Sequence, residues 1–128
     1  MSGRIIADTD VVIDLLRGNK LAISFFRNME DSIHFSAITV AEIYAGVKGK
    51  QERIAVERLF SVFPVVATTN EIACEAGKLV QKWRASHSVE IPDAIIAATC
   101  LILNAELSTL NVKHYPMFAD LEPPYRKG

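Results

Sequence analysis

Three carboxylates in this chain sit where chemistry is a natural reading. Asp8 ends the short apolar run Arg4-Ile-Ile-Ala. Glu42 lies shortly after the alternating segment Ser32-Ile-His-Phe-Ser36. Asp93 follows Pro92 and opens an apolar stretch that reaches Leu103. Asp10 is two residues beyond Asp8, and Ser36, Thr39, Thr109 and Asn111 are polar residues beside the same segments. Carboxylates gathered in a partly dry cleft repel one another unless a cation neutralises them. Oxygen-only donors favour a hard ion, Mg2+ or Mn2+. No His-rich or Cys-rich spacing points to zinc. Each acid also has a local reading. Asp8 fits a helix cap, Thr39-Val-Ala-Glu42 fits a capping box, and Asp93 suits the positive end of a helix.

Whether the acids meet depends on the elements that carry them. Arg4 to Asp8 reads as a buried strand and Thr9 to Arg17 as a helix stopped by Gly18. Apolar residues from Leu21 to Met29 suggest a second helix. Ser32 to Ser36 alternates with period two, as a strand does. Helices are expected over Ala37–Val47, Gln51–Val62, Asn70–Ala85 and Asp93–Asn104, from their apolar spacing. Further strands are expected at Phe63–Val66, with Pro64 marking an edge, and at Glu106–Leu110. A short edge strand is expected between Phe118 and Tyr125. Strands alternating with helices imply an α/β fold, a parallel sheet covered on both faces. Right-handed crossovers then send every strand's carboxyl end, and the N-termini of the helices, to one edge. Asp8, Glu42 and Asp93 all fall there.

The composition suits one domain over residues 1–128. Half of the 128 residues are hydrophobic, 23% are charged and the net charge is −1, enough apolar material for a core. Residues 1–64 hold eight basic and eight acidic side chains, and residues 65–128 hold six and seven. No basic arm exists to bind nucleic acid by net charge alone. No stretch approaches the ~20 apolar residues of a membrane span, and residues 1–12 show no signal-peptide core. Cys74 and Cys100, without CxxC spacing, read as reduced core thiols of a cytoplasmic protein.

Four segments carry a family resemblance. Ile5-Ile-Ala-Asp8-Thr-Asp-Val-Val-Ile-Asp-Leu-Leu-Arg17-Gly18 resembles the opening motif of PIN-domain nucleases, especially VapC-type toxins. Ser36-Ala-Ile-Thr39-Val-Ala-Glu42-Ile-Tyr-Ala-Gly46 resembles the second motif, Pro92-Asp93-Ala-Ile-Ile-Ala-Ala-Thr99 the third, and Leu107-Ser-Thr109-Leu-Asn111-Val-Lys-His114-Tyr the fourth. The resemblance implies a PIN-like three-layer α/β/α sandwich around four to five parallel strands. It implies a Mg2+-dependent endoribonuclease in which Mn2+ substitutes, cutting to a 5′-phosphate and a 3′-hydroxyl. Asp8, Glu42 and Asp93 match the acidic triad. Asn111 stands where the family often has Asp, as a neutral metal ligand, and His114 where an acid is frequent. Asp10, Ser36, Thr39 and Thr109 fall to supporting roles behind the triad. A VapB-type antitoxin and a homodimer are the implied protein partners. Apolar residues within 21–29 and 51–62 are candidates for part of the antitoxin's groove, although most suit the core.

RNA binding needs cations against phosphate. Arg17, Lys48 and Lys113 are the leading candidates, with Lys20, Lys50 and Arg53 nearby. His34, within a strand, and His87, in a loop, suit structural roles, and Trp83 suits packing. Two other enzyme or signalling classes share part of this pattern. A HAD-type phosphatase also begins with strand–Asp-x-Asp and would use Asp8 as nucleophile, but it needs a later Lys and a paired acid motif. A receiver domain needs an acceptor Asp after the third strand, where Val65-Val-Ala-Thr-Thr69 has none. A catalytically silent PIN-fold binding module is the third alternative.

Overall fold

The computed structural model describes residues 3–127. Its centre is a four-stranded parallel sheet of β1 (Ile5–Ala7), β2 (Ile33–Ser36), β3 (Val65–Val66) and β4 (Glu106–Ser108), in the order β3-β2-β1-β4. Ile5 sits opposite both Ile33 and Glu106, and Ala7 opposite Ser108. Six helices connect the strands: α1 (Thr9–Leu16), α2 (Lys20–Asn28), α3 (Ala37–Ala45), α4 (Gly49–Val62), α5 (Asn70–His87) and α6 (Ile91–Leu103).

Side-chain alternation on β1 divides the core in two. Ile6 points into a cluster with Leu107 and the buried faces of α5 and α6. Ile5 and Ala7 point the other way, with Ile33 and Phe35, into α1–α4. The second cluster is rich in rings: Phe35 lies 5.5 Å from Phe60 and 5.4 Å from Phe63, and Phe26 lies 5.5 Å from Phe63, between centroids. With helices on both faces, β1 and β3 are apolar throughout, whereas β2 and β4 alternate, with polar residues at His34, Ser36, Glu106 and Ser108. Helix α6 is buried along Ala94, Ile96, Ala97, Ala98, Thr99 and Cys100, as its nearly all-round apolar sequence requires.

The expected helices and strands are present with altered ends, and several local expectations fail. Helix α3 is capped by Ser36, whose hydroxyl accepts from the Ile38 N–H at 3.2 Å. The Thr39–Glu42 capping box therefore does not form. Helix α5 runs on through His87 until Ser88 takes a left-handed conformation, so His87 is helical and not in a loop. No edge strand forms between Phe118 and Tyr125. That tail instead packs irregularly, with Phe118 and Leu121 against one core cluster and Tyr125 against the other. Pro123 and Pro124 supply no N–H for a ladder. Cys100 is buried as expected, but Cys74 is exposed on α5. No described helix is long and apolar enough to cross a membrane.

The strand order reverses between β1 and β4. Chain leaving β1 passes to β2 on one side, whereas β4 returns on the other. Crevices at the carboxyl ends of strands open at such a switch point. Asp8 follows β1 there, and Thr109 follows β4. The Asp8 N–H donates to the Ser108 carbonyl at 2.8 Å, carrying the pairing one residue past β1.

Candidate active site

Asp8 is 5% exposed and caps α1 through its Oδ1, which accepts from the Thr9 N–H at 2.8 Å. Its Oδ2 accepts from the Thr109 hydroxyl at 2.7 Å and the Tyr115 hydroxyl at 2.9 Å. One side chain thus caps α1 and accepts two hydroxyl hydrogen bonds at the crevice. Asp93 lies in the first turn of α6. Its Oδ1 is 3.4 Å from the same Tyr115 hydroxyl, and its Oδ2 is 3.5 Å from His114 Nδ1. Glu42, exposed on α3, accepts at Oε1 from the Thr9 hydroxyl at 2.7 Å. Thr9 Oγ1 also lies 3.0 Å from the hydroxyl of buried Thr39. Thr9 and Tyr115 therefore link the three acids from two sides.

Asp10 faces the same edge. Its Oδ2 accepts from the Leu110 N–H at 2.9 Å and lies 3.5 Å from the Thr109 hydroxyl. Its Oδ1 is buried with no hydrogen-bond partner. Burial, then the charge of Asp8, pushes the Asp10 carboxyl up to about 6. Burial also raises Asp93, helped by Asp8 and Glu42 and opposed by His114. The Tyr115 hydroxyl keeps its proton, because burial and the charges of Asp8 and Asp93 oppose ionisation. Among the described residues, no lysine or arginine forms an ion pair with Asp8, Asp10, Glu42 or Asp93; the basic partner present is His114.

This donor set suits a hard divalent cation in kind: carboxylate and hydroxyl oxygens with negative charge that no lysine or arginine offsets. It is not a closed cage. Among the described residues, no three Asp, Glu, His or Cys side chains are already drawn together into a ready-made ion site. Ser36 is buried at the start of α3. Asn111 is exposed, and its backbone begins the 3-10 turn Val112–His114. Its N–H donates to the Thr109 hydroxyl at 3.0 Å, and no hydrogen bond joins its side chain to the acids. Lys113, on that turn, is exposed. Arg17 and Lys48 line a cleft of about 350 Å³ between α1, α3 and α4, with Glu42 at its rim and Ile13, Leu16, Val47 and Val56 inside. The cleft takes Glu52, Ala55 and Val56 from α4, within the 51–62 segment, and no residue from α2. His34 stays within its own strand surroundings, with Nδ1 2.9 Å from the Ser32 carbonyl, and Trp83 packs against the core.

Sequence reasoning missed Tyr115 and Thr9 as site residues. Both lay within quoted motifs, but their contacts cross 107 and 33 positions, and no local spacing signals them. It also missed a buried acid outside the crevice. Asp14, 7% exposed on α1, accepts from the Tyr125 hydroxyl at 2.7 Å and pairs with Lys127 Nζ at 3.1 Å.

The fold and site together define an α/β protein with an acidic crevice at the switch point of a small parallel sheet. The PIN domain family model matches residues 5–115. Ribonuclease VapC19 of Mycobacterium tuberculosis is 38% identical over 122 residues, covering 92% of this chain and 97% of that protein. Ribonuclease VapC10 of the same organism is 36% identical over 124 residues, covering 94% and 92%. A toxin–antitoxin complex from Klebsiella pneumoniae contains a chain that superposes with a TM-score of 0.79 at 27% identity, covering 96% of this chain and 99% of that one. The DNA-bound VapBC structure from Salmonella typhimurium shares the fold, with a TM-score of 0.76 at 19% identity and coverages of 94% and 95%. The chain belongs to the PIN-domain family, among its VapC-type toxins. Membership in that family displaces the phosphatase and receiver readings.

Proposed function

We propose that this protein is a Mg2+-dependent endoribonuclease, with Mn2+ able to substitute, and the toxin of a toxin–antitoxin pair. The observation that carries the reading is the gathering of Asp8, Glu42 and Asp93 at one sheet edge, with no lysine or arginine among the described residues paired to them. The names of the relatives support RNA as substrate. Asp8, Glu42 and Asp93 would hold the ion, with Asp10 and Asn111 as further oxygen donors at its margin. When bound, the ion supplies Lewis acidity at the scissile phosphate and lowers the pKa of water. Thr109 and Tyr115 fix the Asp8 carboxylate. Asp93 is the carboxylate we assign to accept a proton from the attacking water. Arg17, Lys48 and Lys113 face the phosphate backbone of the RNA.

The apolar cleft beside Glu42 suits a segment of a VapB-type antitoxin, which would cover the acids and silence them. Pairing of two such chains into a homodimer and residence in the cytoplasm complete the proposal. Purified Asp93→Asn should keep its circular dichroism spectrum and lose divalent-dependent RNA cleavage by at least about 100-fold, since an amide cannot supply the charge that holds the ion. Undiminished cleavage by that variant would refute the assignment.

A further inference from the structure

We propose that Tyr115 is a positioning residue: its buried hydroxyl, set between Asp8 and Asp93, donates to Asp8 and holds that carboxylate where it receives a divalent cation. The proposal rests on the metal-dependent reading above.

The hydroxyl lies 2.9 Å from Asp8 Oδ2 and 3.4 Å from Asp93 Oδ1, and Tyr115 is 1% exposed. A carboxylate oxygen has two in-plane acceptor sites. Thr109 and Tyr115 fill both on Asp8 Oδ2. Thr9 N–H takes one on Oδ1, leaving the other as the position from which Asp8 can bind a cation. Without the Tyr115 hydroxyl, Oδ2 regains an open site and the carboxylate can rotate away from this presentation.

The hydroxyl also separates two like charges. One O–H donates to Asp8, the shorter contact, while Asp93 stands against the same oxygen. A phenylalanine would keep the ring packed against Phe118, at 6.5 Å between centroids, but would leave the two carboxylates with no polar atom between them. Residues that orient ligands from behind in this way are typically worth about 10–100-fold in metal affinity.

The test is a calorimetric Mn2+ titration of the metal-free, RNA-free protein. Wild type, Tyr115→Phe and Phe118→Leu are compared, the last removing a ring contact while sparing the hydroxyl. Tyr115→Phe should bind Mn2+ about 10–100-fold more weakly, and its RNA cleavage should recover as Mn2+ is raised. Phe118→Leu should lower the melting temperature without changing Mn2+ affinity. Equal affinity in wild type and Tyr115→Phe overturns the positioning role and leaves the metal reading intact. A wild type that binds no Mn2+ overturns both. If Tyr115→Phe does not fold, wild type labelled with 13C at tyrosine Cζ decides the matter under Mg2+ titration. The Tyr115 resonance should then move with the binding isotherm while Tyr44 and Tyr125 stay fixed; an unmoved Tyr115 resonance overturns the proposal.

Discussion

Replacing Asp10 with asparagine should change how stability depends on pH, not merely shift it. The Asp10 carboxyl is raised from 3.8 to about 6 by burial and by Asp8. Between those values the folded chain holds a proton that the unfolded chain has lost. The favourable contribution is therefore fully present below about 3.8 and is lost as pH rises through about 6. Complete transmission of the rise would amount to about 3 kcal/mol. Asp10 is only partly buried, so solvent screening reduces it to about 1–2 kcal/mol. At ~2.1 cal/mol/K of unfolding entropy per residue, this is about 4–7 °C in melting temperature for a chain of this size. The substitution also places an amide group where Asp10 Oδ1 has no partner, which shifts stability equally at every pH. The slope, not the offset, carries the information. Thermal unfolding followed by circular dichroism in chelator, from pH 4 to pH 8, gives the difference between wild type and Asp10→Asn. Wild type should lose about 4–7 °C relative to the variant across that range. A flat difference, or one of opposite sign, would overturn the electrostatic account of Asp10.

Millimolar Mg2+ or Mn2+ should raise the melting temperature of wild type, because an ion that binds the clustered acids binds only the folded chain. The rise should shrink at pH 5, as Asp10, raised to about 6, takes up a proton, and should be largely absent in Asp93→Asn; equal gains in both proteins would show binding elsewhere. Tyr125→Phe should cost about 1.5–3 kcal/mol at pH 7, because it removes a donor from buried, ionised Asp14. Burial raises Asp14, but the hydrogen bonds of Tyr125 and Lys127 and the charges of Lys127 and Arg17 outweigh it, so its net direction is down. Its stabilising contribution is present above the ordinary carboxyl range and fades as pH falls through the lowered value. Urea unfolding at pH 7 and pH 3 should therefore show a smaller penalty at the lower pH, and an unchanged penalty would count against the ionised form of Asp14 as the acceptor.

The layered α/β architecture, and the edge at which the acids gather, are legible in the chain's own pattern. Apolar runs such as Ile5-Ile-Ala and the nearly all-apolar α6 suit only buried elements, and the handedness of crossovers sends their acidic ends one way. Those are consequences of periodicity and burial, which each segment expresses locally. Which side chains touch is settled instead by the packed molecule. The hydroxyl of Tyr115 reaches Asp8 because the 3-10 turn after β4 brings it back to the end of β1 and the start of α6. Glu42 takes Thr9 instead of its own helix's N–H groups, since Ser36 already holds the cap. Tyr125 reaches Asp14 because the tail packs against α1–α4 in place of joining the sheet. Each contact joins residues more than 30 positions apart, and its geometry follows from packing of the whole core, which no single segment encodes.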